Sequence, residues 1–230
     1  MFKLMKLEMK KSNYPLNLLF AVIVIGGLFV FELLSFKGGY EGAEQYTSFS
    51  FILNNIILFN KYAWTIYGSV LIAKLYGEEI NARTTNILFT YPVSRTKIAI
   101  VKYIFILQFI LIGFWVSSIL QAIGMITINK SISVFSDGVH MELFSEYVYC
   151  VLLSGLFSAF ATFIVLLINI LTKSSKATIV SSVVIIVALY QGGKTNTSFM
   201  SSDLILYGIL GVIGIICSVI GIQKLQTMDL

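Results

Sequence analysis

Hydrophobic and polar positions fall into long blocks along this chain. Six stretches, near 17–36, 51–76, 98–128, 145–171, 177–191 and 204–222, are almost wholly apolar and bounded by charge. A hydrocarbon layer about 30 Å thick takes about 20 residues of helix to cross, so the blocks predict six transmembrane helices. Runs such as AVIVIGGLFVF and IFILQFILIGFW are apolar on every face, whereas barrel strands would show segments of about ten residues alternating with period two. The expected fold is an all-α integral membrane protein, a single transmembrane domain over 1–230. The fifth block is short and the second carries Asn60 and Lys61, so these two spans are the least regular.

Composition strengthens this reading. Of 230 residues, 57% are hydrophobic and 12% charged, and the mean hydropathy is +0.90; soluble domains are about 25% charged. The first apolar run exceeds a signal-peptide core and no A-x-A-like site follows it, so it is expected to stay in the mature chain. Basic residues divide unevenly between the two sides. With both termini cytoplasmic, that side holds Lys3, Lys6, Lys10, Lys11, Lys74, Arg83, Arg95, Lys97, Lys102, Lys173, Lys176 and Lys224. The other side keeps Lys37, Lys61, Lys130 and Lys194 among most of the acids. The positive-inside rule therefore predicts cytoplasmic termini, and the net charge of +5 points to anionic lipid headgroups with no nucleic-acid partner.

The opening MFKLMKLEMKKSNY puts Phe2, Met1, Met5 and Met9 on one helical side and Lys3, Lys6 and Lys10 on the other before Pro15. Residues 1–14 thus predict an amphipathic helix in the membrane interface; the competing reading is a disordered basic tail. The outer loops KGGYEGAEQYTS, NKSISVFSDGVHMELF and GGKTNTSFMSSD are too short for a further domain. No convincing internal repeat is present.

Catalytic chemistry is sparse. Cys150 and Cys217 fall within spans without metal-ligand spacing, and His140 stands alone. Gly193-Lys194-Thr195 resembles the end of a phosphate loop, but Ala188 occupies the position that needs glycine. No catalytic residue, metal ligand or cofactor-binding residue is assigned to this chain. Inside the spans, Glu32 and Lys61 are the costly groups, and a Glu32–Lys61 charge pair or gate in the outer leaflet is one expectation; separate snorkelling to the interface is the other. Gly208, Gly211, Gly214, Ser218 and Gly221, and Ser154, Gly155, Ser158, Ala159 and Thr162, form small-residue stripes that predict close helix packing. Asn54, Asn55, Asn60, Gln108 and Gln121 are candidates for a wet cavity.

One polar segment interrupts the apolar blocks: EEINARTTNILFTYPVSRTKIAIVK, residues 78–102. On the predicted topology it joins spans two and three in the cytosol. Glu78 and Glu79 close a helix whose negative end disfavours carboxylates, so they want cations such as Arg83, Arg95 or Lys102. Thr84, Thr85 and Asn86 lead into an apolar tip, Ile87, Leu88 and Phe89, on a short helical turn. Pro92 makes a corner and Ser94 is a good N-cap for the third span. A plain solvated loop has little need of an apolar cluster, which more often marks a partner site.

The order Glu79, Thr84, Leu88, Pro92-Val93-Ser94-Arg95 and Lys102, with the tail from Gln223-Lys224 to Met228-Asp229-Leu230, resembles ABC-2 type exporter permeases. Arg83 stands where that family commonly has glycine. The resemblance implies six spans, an N-terminal elbow helix and a cytoplasmic coupling helix within 78–95. It implies that ATP and magnesium bind in a separate cytosolic ABC ATPase subunit, in two copies, and that this chain is a transport subunit without enzymatic activity. It also implies a second copy or a paralogous permease, and a bacterial plasma membrane location. Thr84 to Phe89 would dock on the ATPase, with Glu78, Glu79, Arg95 and Lys102 fixing the docking angle. The expected cargo is an amphipathic peptide, in antimicrobial or cytolytic peptide export or self-immunity. Drug or sodium efflux is an alternative within the family, and an ion-coupled secondary transporter or channel centred on Glu32 and Lys61 is an alternative outside it.

Overall fold

The computed structural model describes residues 13–38, 48–77, 95–129, 141–189 and 202–227. Within them the chain forms α1 (Tyr14–Gly38), α2 (Phe49–Ile72), α3 (Arg95–Asn129), α4 (Met141–Thr172), α5 (Ser175–Leu189) and α6 (Ser202–Thr227). A π-helical turn, Ala73–Gly77, extends α2. Strand is absent among the described residues, as expected where lipid offers the backbone no partner and each segment must satisfy its own amides.

Five of these helices are long and apolar enough to cross a membrane. The exception is α5. Its 15 residues span about 22 Å at 1.5 Å per residue, short of the about 30 Å required. Of the six spans expected, five are thus present as helices long enough to cross, and the fifth block forms a short apolar helix. The second span, interrupted in sequence by Asn60 and Lys61, is one continuous helix because both side chains point inward and are buried. The first span starts earlier than predicted, at Tyr14, with Pro15 in its first turn where no amide partner is lost. Ser48 caps α2 by accepting from the Phe51 amide at 3.4 Å. The expected elbow helix, 1–14, lies outside the described residues except for Asn13 and Tyr14, and residues 78–94 of the polar segment lie outside them as well.

Packing centres on α2 and α4. In its most apolar stretch α2 is 67% buried inside the chain, against 11% for α1. The most extensive contact is between α4 and α6. They run parallel, so close that a Cβ added at Gly211 of α6 would lie 3.4 Å from the Phe157 backbone and one at Gly214 would overlap the Phe160 carbonyl. The serine and glycine stripe of α4 is turned elsewhere: Thr162 meets Gly68 of α2, and Gly155 meets Trp115 of α3. Both stripes therefore serve close packing, as expected, but against different neighbours.

Candidate functional site

Two buried polar clusters lie about 20 Å apart along α2, counting 1.5 Å per residue. The first joins α1, α2 and α3 at the end of the bundle carrying Tyr14, Lys74 and Lys102. Lys74 Nζ donates to Asn17 Oδ1 at 2.9 Å, and Tyr67 Oη donates to the Asn17 carbonyl at 2.8 Å. Lys102 Nζ donates to the Leu75 carbonyl at 2.9 Å and lies 5.3 Å from the Tyr76 ring centroid. Tyr76 Oη donates to the Ala99 carbonyl at 2.9 Å.

The π-turn makes this possible. A π-turn departs from the regular α-helical hydrogen-bond ladder, and the Leu75 carbonyl in it is the group that Lys102 reaches. Lys102 is only 2% exposed, so its stem packs between the helices while its charge is held by a carbonyl dipole and an aromatic face. These ties fix the relative angle of α2 and α3 at the root of the segment between them.

The second cluster lies nearer the other end. Asn60 Nδ2 donates to the Ile56 carbonyl at 2.9 Å and to Gln121 Oε1. Ser117 Oγ is within hydrogen-bond distance of Asn60 Oδ1, and Trp64 Nε1 donates to Ser117 Oγ at 2.9 Å. Tyr147 Oη of α4 donates to the Ser118 carbonyl at 2.8 Å. Glu32 of α1 is 0% exposed and lies within electrostatic range of Tyr147.

Among the described residues, neither oxygen of Glu32 has a hydrogen-bond partner, nor do Ser118 Oγ and Gln121 Nε2. The expected Glu32–Lys61 contact is therefore not formed here. Lys61 is turned toward α6, with Nζ 4.5 Å from the Tyr207 ring centroid. Both charged residues are buried, so neither snorkels.

A cavity of about 290 Å3 opens between α1 and α3, lined by Tyr14, Leu18, Trp64, Phe105, Phe109 and Ile112 with Gln108 among them. Gln108 is thus one of the candidate polar residues facing open space. Asn60 and Gln121 bond each other, and Asn55 bonds the Phe51 carbonyl of its own helix.

Of the residues expected to couple to a partner, Glu78, Glu79, Arg83, Thr84, Thr85, Ile87, Leu88, Phe89 and Pro92 lie outside the described residues. The backbone of Arg95 opens α3, and Lys102 sits one face along in the buried tie. Sequence reasoning did not single out Asn17, Tyr67, Tyr76, Ser117 or Tyr147. The tyrosines read as apolar span residues, and only their hydroxyl ends carry the polar contacts. Among the described residues no group of three or more His, Cys, Asp or Glu gathers as a metal site, and Cys150 and Cys217 are free thiols.

Comparison with known proteins places this architecture. The chain is 25% identical over 223 residues to the uncharacterized protein YcbO of Bacillus subtilis (strain 168), covering 96% of both chains. No solved structure matches it. Residues 45–224 match the description of the ABC-2 family transporter proteins. With that match running from before α2 to the last turns of α6, the chain belongs to the ABC-2 family of membrane transport proteins.

Proposed function

We propose that this chain is the membrane-spanning permease subunit of an ATP-driven exporter, powered by a separate cytosolic ABC ATPase that docks on the segment 78–95. Family membership supports the partner class. The observation that carries the reading is the buried tie of Lys102 to Leu75 and of Tyr76 to Ala99 at the root of that segment. A force applied to Ile87, Leu88 and Phe89 would reach α2 and α3 together, because these contacts join the helices. Under this reading the end with Lys74 and Lys102 is cytoplasmic, the membrane is the bacterial plasma membrane, and a second permease copy or paralogue completes the passage.

The proposed cargo is an amphipathic peptide. The apolar cavity between α1 and α3, with a single amide at Gln108, suits a ligand that is mostly apolar with some hydrogen-bonding capacity. Copurification from the native membrane tests the partner: an ATP-binding cassette protein is expected to accompany the tagged chain. Transport by vesicles that persists without ATP would point instead to an ion-coupled carrier. Leu88→Asp is expected to uncouple transport while the protein still inserts. Peptide tolerance of cells with and without the chain tests the cargo, and equal tolerance across amphipathic peptides would remove it.

A further inference from the structure

Glu32 has no role in the coupling reading. Its side chain is fully enclosed and, among the described residues, both oxygens lack partners, whereas Glu142 and Glu146 are exposed. An anion held in this way is strongly disfavoured in a low-dielectric interior. The surroundings offer little compensation. α2 carries Lys61, whose Nζ lies over the Tyr207 ring of α6; α4 carries Tyr147, within electrostatic range of Glu32 and bonded to the Ser118 carbonyl of the neutral run on α3, with the exposed Glu146 next to it in sequence and Cys150 a turn on. Tyr14 is the other ionisable residue among the described side chains of α1, near its opposite end.

A hard metal ion does not fit either, since calcium or magnesium takes about six or more oxygen ligands, and no carboxylate cluster is present among the described residues. A proton needs no space beyond the carboxyl itself. The helix carrying Glu32 is also the most lightly held of the long helices, with 11% of its apolar stretch buried. Beside Glu32 it rests on edge-on aromatic contact between Phe31 and Phe59 at 5.3 Å, and on Phe29 over Gly124.

We propose that Glu32 is a membrane-embedded proton-binding site that closes α1 onto the bundle. With the proton on a carboxyl oxygen the neutral group is accommodated against α3 and α4. When the proton leaves to water, α1 moves out so that the carboxylate is solvated. One proton is bound on closing and released on opening, and no other bond changes. Closure therefore strengthens as pH falls and weakens as pH rises. This holds whatever the cargo or energy source.

The test uses the full chain in liposomes. Infrared difference spectra between wild type and Glu32→Gln are expected to show a protonated-carboxyl band at neutral pH that the variant lacks. In a Cys150→Ala, Cys217→Ala background, Phe31→Cys and Phe59→Cys report α1 docking by disulfide yield. The yield with Glu32 present, divided by that with Glu32→Gln, is expected to fall with rising pH by up to about tenfold per unit, the limit for one proton. The absence of any protonated-carboxyl band at neutral pH, or a ratio flat across pH, overturns the proposal. So does a ratio that follows sodium concentration at fixed pH. Should the Gln variant fail to insert, pH titration of the same band in wild type decides the matter.

Discussion

Replacing each stripe glycine of α6 by alanine tests the packing register. At Gly214 the new methyl would overlap the Phe160 carbonyl, a backbone group that cannot rotate aside. At Gly211 it would meet the Phe157 backbone at 3.4 Å, and at Gly208 only the Phe157 ring at 3.7 Å, which is ordinary contact. Overpacking costs about 1–3 kcal/mol, while alanine gains about 0.5–1 kcal/mol over glycine inside a helix. The net expectation is a loss of about 2 kcal/mol at Gly214, near zero at Gly211, and a gain of up to about 1 kcal/mol at Gly208. At about 2–4 °C per kcal/mol for a chain of this size, Gly208→Ala and Gly214→Ala should differ in Tm by about 5–12 °C. Thermal exposure of the buried thiol Cys150, 3% exposed in the native fold, to a thiol-reactive dye in detergent reads the transition. Equal shifts at the three positions, or a stabilised Gly214→Ala, would refute the parallel register of α4 and α6.

Ser117→Ala strands both the Trp64 indole and Asn60 Oδ1, and is expected to cost about 1–3 kcal/mol in the same melt. Trp64→Phe added to it should recover part of that loss in a double-mutant cycle. Gln121→Leu removes a buried amide nitrogen that has no partner and leaves Asn60 its Ile56 carbonyl; stability within about 1 kcal/mol of wild type is expected. Lys102→Met keeps most of the apolar stem but deletes the donor to Leu75. Under the proposed coupling to an ABC ATPase, it should lower transport per ATP hydrolysed more than it lowers Tm, and a proportional loss of both would argue for a structural role alone.

The apolar blocks were legible because length and hydropathy survive folding nearly unchanged. Boundaries moved where a local rule has two outcomes: Pro15 reads as a breaker, yet it fits a first helical turn. The small-residue stripes were visible, but not their neighbours, since facing directions depend on how three helices cross. Asn60 and Lys61 looked like faults in a span and are instead the polar interior of the most buried helix. The cost of Glu32 in a membrane was readable from residue type. Its lack of a partner was not, because pairing with Lys61 depends on the rotation of α2, which turns Lys61 toward Tyr207. The tie at Lys102 needed the π-turn, which no spacing in the sequence announces.

The two clusters act differently on α1. Among the described residues its hydrogen bonds to other helices are at Asn17, from Tyr67 and Lys74, while Glu32 makes none. Those two positions are about 22 Å apart along the helix at 1.5 Å per residue. A helix tied at one end and held by apolar contact at the other moves as a hinge, not by sliding. A tilt of about 10° about Asn17 carries Glu32 through about 4 Å, enough to separate Phe31 from Phe59 and to leave Asn17 bonded. Because Tyr67 belongs to α2 and Lys74 to the π-turn that extends it, and Lys102 joins that same turn to α3, the pivot of α1 sits on the same corner that would receive force from the segment 78–95. Opening at Glu32 and displacement of α2 are thus mechanically linked through Asn17, and weakening that anchor with Asn17→Ala should loosen α1 closure at every pH rather than shift its pH dependence.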